Sequence, residues 1–263
     1  MVDPAEVIGK AREAVSQRAE LPGMSLMEHL DELRKRIIRS ALFLAAGFLV
    51  AWAFHDRFVG IIQAPLGRIG KSLVFTHPMD PLNLDLKVSL VGGAILASPL
   101  ILFQVWLFIA PGLYQKEKRF VIPFMAATVG LFLAGAAFGY FYVLPGALQI
   151  LIVNFGHNFT PMVTIEEYSS FFLSIILGLG ISFELPILIF FLALFGIVSP
   201  KFLWKNIRYA ILAVFFVAAV ICPSPDPWTM CIYALPMLAL YLVGIAVAWW
   251  VHPSRRKKKE AAA

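Results

Sequence analysis

Residues 168–198 read YSSFFLSIILGLGISFELPILIFFLALFGIV, an apolar run whose one acidic residue, Glu184, sits near its middle. Crossing a bilayer as an α-helix takes about 20 apolar residues, with a range of roughly 17–25. The run exceeds that length, enough to tilt or project. A charge at a span centre costs about 2.5–3.5 kcal/mol on insertion scales, so intramembrane acids usually face protein or water and mark function. The stretch therefore predicts a membrane helix that carries a polar site. The blander reading of Glu184 is a neutral carboxyl hydrogen-bonded to Gln104 or Ser182, which still lines an inward polar site.

Outward from this run, segments 37–54, 88–110 and 120–144 also pass the length test. Two more, 209–222 and 228–251, are joined by Pro223-Ser224-Pro225-Asp226-Pro227. The 209–222 run is short. It forms either a re-entrant hairpin with its neighbour or a short span beside a thinned bilayer; six spans is the preferred count. Composition agrees: of 263 residues, 60% are hydrophobic and 14% charged, with a mean hydropathy of +0.82. Soluble domains run at roughly 45–50% apolar and 25% charged. The expected fold class is an all-α polytopic membrane protein: a cytoplasmic arm over 1–24, one membrane domain over 25–252, and a basic tail over 253–263.

Charge sets the expected orientation. Lys and Arg gather in short cytoplasmic loops near span ends. One set of segments holds Arg34, Lys35, Arg36 and Arg39, then Lys116, Lys118 and Arg119, then Lys201, Lys205 and Arg208, then Arg255 to Lys259. The alternate set holds Arg57, Arg68, Lys71 and Lys87, and nothing basic in 145–167 or 223–227. Both termini are thus expected in the cytoplasm. This distribution also turns the basic excess, 22 Lys+Arg against 16 Asp+Glu, from a nucleic-acid signal into a topology signal. The Arg255–Lys259 cluster serves topology or anchors to anionic lipid.

Several local features refine this outline. Pro99, Pro123, Pro186 and Pro236 interrupt the spans and favour kinks, hence a bent, concave bundle. Residues 1–23 are polar and read as mobile; Ser25-Leu26-Met27-Glu28 reads as a capping box opening a helix into the first span. Ala51-Trp52-Ala53 mimics a signal-peptidase site, but the long, partly acidic and helix-patterned segment before it argues for a retained span. Cys222 and Cys231 fit no metal or redox spacing. His29, His55, His77, His157 and His252 form no ligand pair, so neither metal nor cofactor is expected. Gly67-Arg68-Ile69-Gly70-Lys71-Ser72 imitates a phosphate loop, yet Pro65 stands where that pattern needs its first glycine.

Acids on the basic cytoplasmic side need a reason beyond topology. Glu28, Asp31 and Glu32 lie on the first helix, and Glu117 lies in Gln115-Lys116-Glu117-Lys118-Arg119. Local pairing is one reading: Asp31 with Lys35 and Glu32 with Arg36, both at helix-neighbour spacing. The other is a pair of carboxylates that accept a guanidinium ligand by charge-assisted, bidentate contacts. Spacing alone does not show that Glu32 and Glu117 meet. Asp226, boxed by prolines, either caps the final span or contacts a partner helix. No nucleophile–base pattern is present, so no catalytic residue is assigned.

Five segments in order, Met27 to Arg36, Gln104 to Tyr114, Glu117-Lys118-Arg119, Ser182 to Pro186 and Pro223 to Asp226, resemble the TatC family of twin-arginine translocases. The resemblance implies six helices in a concave, glove-like bundle with short fifth and sixth spans, in the bacterial inner membrane. It implies a receptor for twin-arginine signal peptides of folded cargo, working in an oligomeric complex with single-span TatA and TatB partners and driven by the proton-motive force. The positions matching Glu32 and Glu117 belong to the family's recognition site. Arg34, Phe108, Pro65, Glu184 and Asp226 match functionally sensitive positions, and Glu184 and Gln104 are expected to engage the signal's hydrophobic stretch or a partner helix. A proton-coupled small-solute transporter using Glu184 is the alternative, although the internal repeats common in transporters are not evident. An intramembrane enzyme lacks the paired catalytic groups it needs.

Overall fold

The computed structural model describes residues 26–109, 121–156, 158–194, 196–221 and 226–251. The 1–24 arm, Ser25, Glu117, Cys222, His157, His252 and the 253–263 tail lie outside these residues. Within them the chain is helical, as lipid demands: a backbone without water must satisfy its own hydrogen bonds, and a helix does so within one segment. Five helical stretches are long and apolar enough to cross a membrane: Met27–Ala53, Asp80–Phe108, Pro123–Asn154, Ile165–Leu194 and Pro227–Trp250. Ile207–Ile221 is apolar but short; its 15 residues reach about 22 Å against a hydrocarbon core of about 30 Å.

In chain order the elements are α1 (Leu26–Ala53), α2 (His55–Arg68), β1 (Leu73–Val74) and α3 (Asp80–Ile109). Then come α4 (Val121–Phe138), two π-helical turns (Gly139–Val143 and Gln149–Asn154) flanking α5 (Leu144–Leu148), and β2 (Val163–Thr164). The rest is α6 (Ile165–Ser182), α7 (Leu185–Leu194), α8 (Pro200–Lys205), α9 (Ile207–Ile221) and α10 (Pro227–Val251). The helices outrun the apolar segments. α3 starts before residue 88, and the helix begun at α4 continues past 144 through its π turns to Asn154.

α1 lies along α3, α4 along α6, and α10 along α7. The α1–α3 contact is made backbone to backbone. A Cβ added at Gly93 would stand 2.5 Å from the Phe48 nitrogen and 2.7 Å from the Gly47 carbonyl carbon. Small residues permit such approach, which replaces the missing hydrophobic drive between helices in lipid with close van der Waals contact.

The four prolines do not all break their helices. Pro123 falls in the first turn of α4, where no intrahelical donor is lost. Pro99 sits inside α3, which stays continuous. The Ser98 hydroxyl donates to the Ile95 carbonyl at 2.7 Å, the group that Pro99 leaves without its i→i−4 donor. Pro236 likewise lies within continuous α10. Pro186 alone coincides with a break: α6 ends at Ser182, α7 begins at Leu185, and Phe183 and Glu184 form the turn between them.

The far end of α1 leads into a compact cap. Tyr168 Oη donates to the Ile62 carbonyl at 2.8 Å and Tyr140 Oη to the Ile61 carbonyl at 3.2 Å, pinning α2 onto the bundle. Strands β1 and β2 pair in parallel, Leu73 with Val163 and Val74 with Thr164. Asp80 Oδ2 accepts from the Thr76 and His77 amides at 2.8 and 2.9 Å. Lys87 reaches across from α3 to Glu166 and Ser170 on α6, at 3.4 and 3.3 Å. The phosphate-loop imitation proves to be a helix end: Gly70, at φ +70°, closes α2, and the Lys71 amide donates to the Leu66 carbonyl. Beneath the cap, Leu144, Ala147, Ile175 and Leu179 are wholly buried.

Glycine positions give a direct check of the α1–α3 contact. Gly93→Leu must push α1 off α3 and is expected to cost about 1–3 kcal/mol. Gly60→Leu, where an added Cβ meets nothing within 4 Å, is expected to cost nothing measurable. Thermal unfolding of the two detergent-solubilised variants reads the difference.

Candidate functional site

The α1–α3 register is antiparallel, with residue 47 against 93 in the middle of the pair. That register carries the N-terminal turns of α1 to the C-terminal turns of α3. There, the His29 ring stacks on the Phe108 ring, with centroids 4.5 Å apart and planes 19° from parallel. Two turns further along α1, the Arg36 guanidinium donates from Nη1 to Gln104 Oε1 at 3.1 Å and from Nη2 to Glu32 Oε1 at 3.1 Å. Glu32, Gln104 and Phe108, three residues singled out in the sequence, thus share one end of one helix pair.

The electrostatics of this end are unusual. The Glu32 and Arg36 side chains are 17% and 19% exposed, so the pair is largely withdrawn from water. Arg36 does not place both arms of its fork on the carboxylate, the geometry in which Arg–carboxylate pairs are strongest. It divides them between Glu32 on α1 and Gln104 on α3. Glu32 Oε2 is consequently buried with no hydrogen-bond partner among the described residues. An unsatisfied buried acceptor costs about 1–3 kcal/mol, more if charged, so this oxygen is a standing demand for a donor. By contrast, Asp31 and Lys35 form an ordinary exposed pair at 2.6 Å, which contributes little. Both local pairings expected from i,i+4 spacing are therefore present, but only the Glu32 pair leaves chemistry unfinished. A recess of about 490 Å³ opens along this face of α1, lined by Glu28, Asp31, Glu32, Lys35, Arg36 and Arg39.

Packing makes this end rigid. Trp106 Nε1 donates to Thr128 Oγ1 at 3.1 Å, and that hydroxyl donates to the Phe124 carbonyl at 2.9 Å. Trp106 also meets Phe191 edge to face at 4.7 Å, so α3, α4 and α7 are held together beside Gln104.

The remaining sequence-derived residues lie apart. Arg34 is exposed on α1. Pro65 is buried in α2, beyond the far end of α1. Asp226 precedes α10 and accepts from the Thr229 amide at 2.7 Å, so its helix-capping reading holds. Glu184 occupies the α6–α7 break, with Oε1 buried and no partner among the described residues. The hydrogen bond expected to Gln104 or Ser182 is not formed. Gln104 Oε1 accepts from Arg36, and Ser182 Oγ donates to the Gly178 carbonyl at 2.6 Å. Two residues of the Glu32 end, His29 and Arg36 in its contact with Gln104, carried no signal of their own role. Both sit on the Glu32 face of α1 by helical spacing, but nothing in spacing reports what α3 sets opposite them. Among the described residues no group of His, Cys, Asp and Glu is arranged to hold a metal ion.

Comparison with known proteins agrees with this arrangement. A sequence model of the "Sec-independent protein translocase protein (TatC)" family matches residues 28–236. A protein of that name from Koribacter versatilis is 50% identical over 267 residues, covering 99% of this chain and 96% of the relative. One from Carboxydothermus hydrogenoformans is 39% identical, covering 88% and 95%. A crystal structure described as the twin arginine translocase receptor TatC superposes with a TM-score of 0.78 at 37% identity, covering 85% of this chain and 99% of that one. With the family model spanning both the Glu32 end of α1 and the Glu184 break, the chain belongs to the TatC family: it is a multi-pass membrane subunit of the twin-arginine protein translocase, not an enzyme.

Proposed function

We propose that this subunit is the receptor that captures twin-arginine signal peptides of folded cargo on the cytoplasmic side of the inner membrane. The observation that carries the reading is the withdrawn carboxylate of Glu32, with one buried oxygen that has no donor among the described residues. Arginine is the side chain suited to such a site: always charged, planar, and able to offer several donors in a fixed fork. Lysine offers a point charge without that geometry. Glu117, in the segment after α3, is the second carboxylate, and Phe108, stacked on His29, gives the site an apolar wall. Arg34 stands at its exposed margin.

The hydrophobic stretch that follows the Arg-Arg pair runs along the concave face of the bundle. An apolar recess of about 290 Å³ among α2, α3, α4 and α6, lined by Phe58, Val91, Leu133, Tyr140 and Phe172 among others, supports that path. Both termini are cytoplasmic, in keeping with the Lys/Arg distribution, and α9 with α10 completes six spans. Glu184, Gln104, Pro65 and Asp226 act after capture, in contacts with TatA- and TatB-like single-span partners that assemble for export driven by the proton-motive force. Glu184 Oε1, buried at a helix break with no partner among the described residues, is a ready acceptor for a polar group on an incoming helix.

Site-specific photocrosslinking in membranes tests the reading. An Arg-Arg leader is expected to crosslink around Glu32 and Glu117, and a Lys-Lys leader to lose those adducts; equal adducts from both would refute the receptor assignment. Glu117→Ala is expected to weaken leader binding about tenfold, the scale of one charge-assisted contact, with normal membrane insertion. Unchanged affinity would remove Glu117 from the site. Glu184→Ala is expected to bind leader normally yet lose most export, read as cargo reaching the periplasm; normal export would strip Glu184 of its later role.

A further inference from the structure

The contact that closes off Glu32 has the same chemistry as the ligand assigned to it. Arg36 is a guanidinium seated on the carboxylate that is to receive a guanidinium. Its fork is shared: Nη2 on Glu32 Oε1, Nη1 on Gln104 Oε1, each at 3.1 Å. Were the pair only a structural clasp, the fork–fork arrangement would satisfy both Glu32 oxygens from one residue. Instead Oε2 is left buried and without a donor among the described residues, so the internal pairing is incomplete. Gln104 meanwhile gives Arg36 a second acceptor, one that carries no charge and belongs to a different helix. If the carboxylate is taken by another cation, Arg36 still keeps one hydrogen bond.

We propose that Arg36 is an internal guanidinium which the leader's arginine displaces from Glu32, and that this exchange sets the preference for arginine over lysine. The inference rests on the receptor reading above and adds how its selectivity arises. In the empty receptor Glu32 is held by one arm of Arg36. An incoming arginine places two donors on the carboxylate, satisfies Oε2, and releases Arg36 to Gln104. A lysine ammonium presents no planar fork; it must eject a guanidinium already in place and gains less in return. Selectivity is thus a difference between two competitors for one carboxylate, and it requires the resident one.

The discriminating measurement is binding of fluorescent Arg-Arg and Lys-Lys leader peptides to the full-length protein in lipid nanodiscs. The wild type is expected to prefer Arg-Arg clearly. Arg36→Met, with no resident cation, is expected to bind both peptides several-fold more tightly and to bring their affinity ratio towards unity. Gln104→Leu, which takes away the acceptor that receives displaced Arg36, is expected to weaken Arg-Arg binding about tenfold, the scale of one charge-assisted hydrogen bond. An Arg36→Met protein that binds Arg-Arg less tightly, or keeps the wild-type ratio, overturns the exchange and leaves the receptor reading intact. A wild type without arginine preference overturns the receptor reading and the exchange together. Should Arg36→Met not elute as a monodisperse species, Arg36→Lys takes its place: a reduced ratio is expected, and an unchanged one overturns the exchange.

Discussion

Gly47 and Gly93 let α1 and α3 touch backbone to backbone, and the Glu32 end of the helix pair inherits its geometry from that contact. Once residue 47 is set against 93 in antiparallel sense, Arg36 reaches Gln104 and His29 reaches Phe108 without further adjustment. A helix pair forced apart by a side chain would lose the Arg36–Gln104 contact, which crosses between the helices at 3.1 Å and tolerates little displacement. Lipid offers no hydrophobic force to press helices together, so closeness itself supplies the attraction. The Arg36–Gln104 and His29–Phe108 contacts therefore depend on two residues that carry no side chain.

The same solvent explains how the chain treats its prolines. Every broken backbone bond has to be repaired from within. At Pro99 the repair is local, a serine hydroxyl one residue earlier in the chain, and α3 stays continuous. At Pro186 the helix instead yields, and the break holds Glu184, half-buried with one oxygen unpaired. The short α9, about 22 Å long, falls below the hydrocarbon thickness of about 30 Å that the longer helices exceed.

Much of this was legible before any coordinates. The run over 168–198 announces a membrane helix by length and apolarity alone, and the i,i+4 spacing of Glu32 and Arg36 announces their pairing. The capping role of Asp226 followed from its place before an apolar run, although a partner contact was equally open. Other features were illegible for identifiable reasons. The extension of helix beyond residue 144 is carried by π turns flanking Pro145-Gly146, a pair that reads as a helix stop. Gln104 was matched with Glu184 because both are polar residues in apolar runs; the structure pairs it with Arg36 instead.

The amino-acid sequence by itself determined that the chain lives in lipid, which side its charges favour, and which acids are out of place there. Those properties follow from solvation and local spacing, and each is a sum over neighbouring residues. Only the tertiary structure decided that Arg36 divides itself between Glu32 and Gln104, that His29 stacks on Phe108, and that Glu184 is left without either of its expected partners. Such contacts join residues far apart in the chain, and their distances are fixed by how closely two helix backbones can approach.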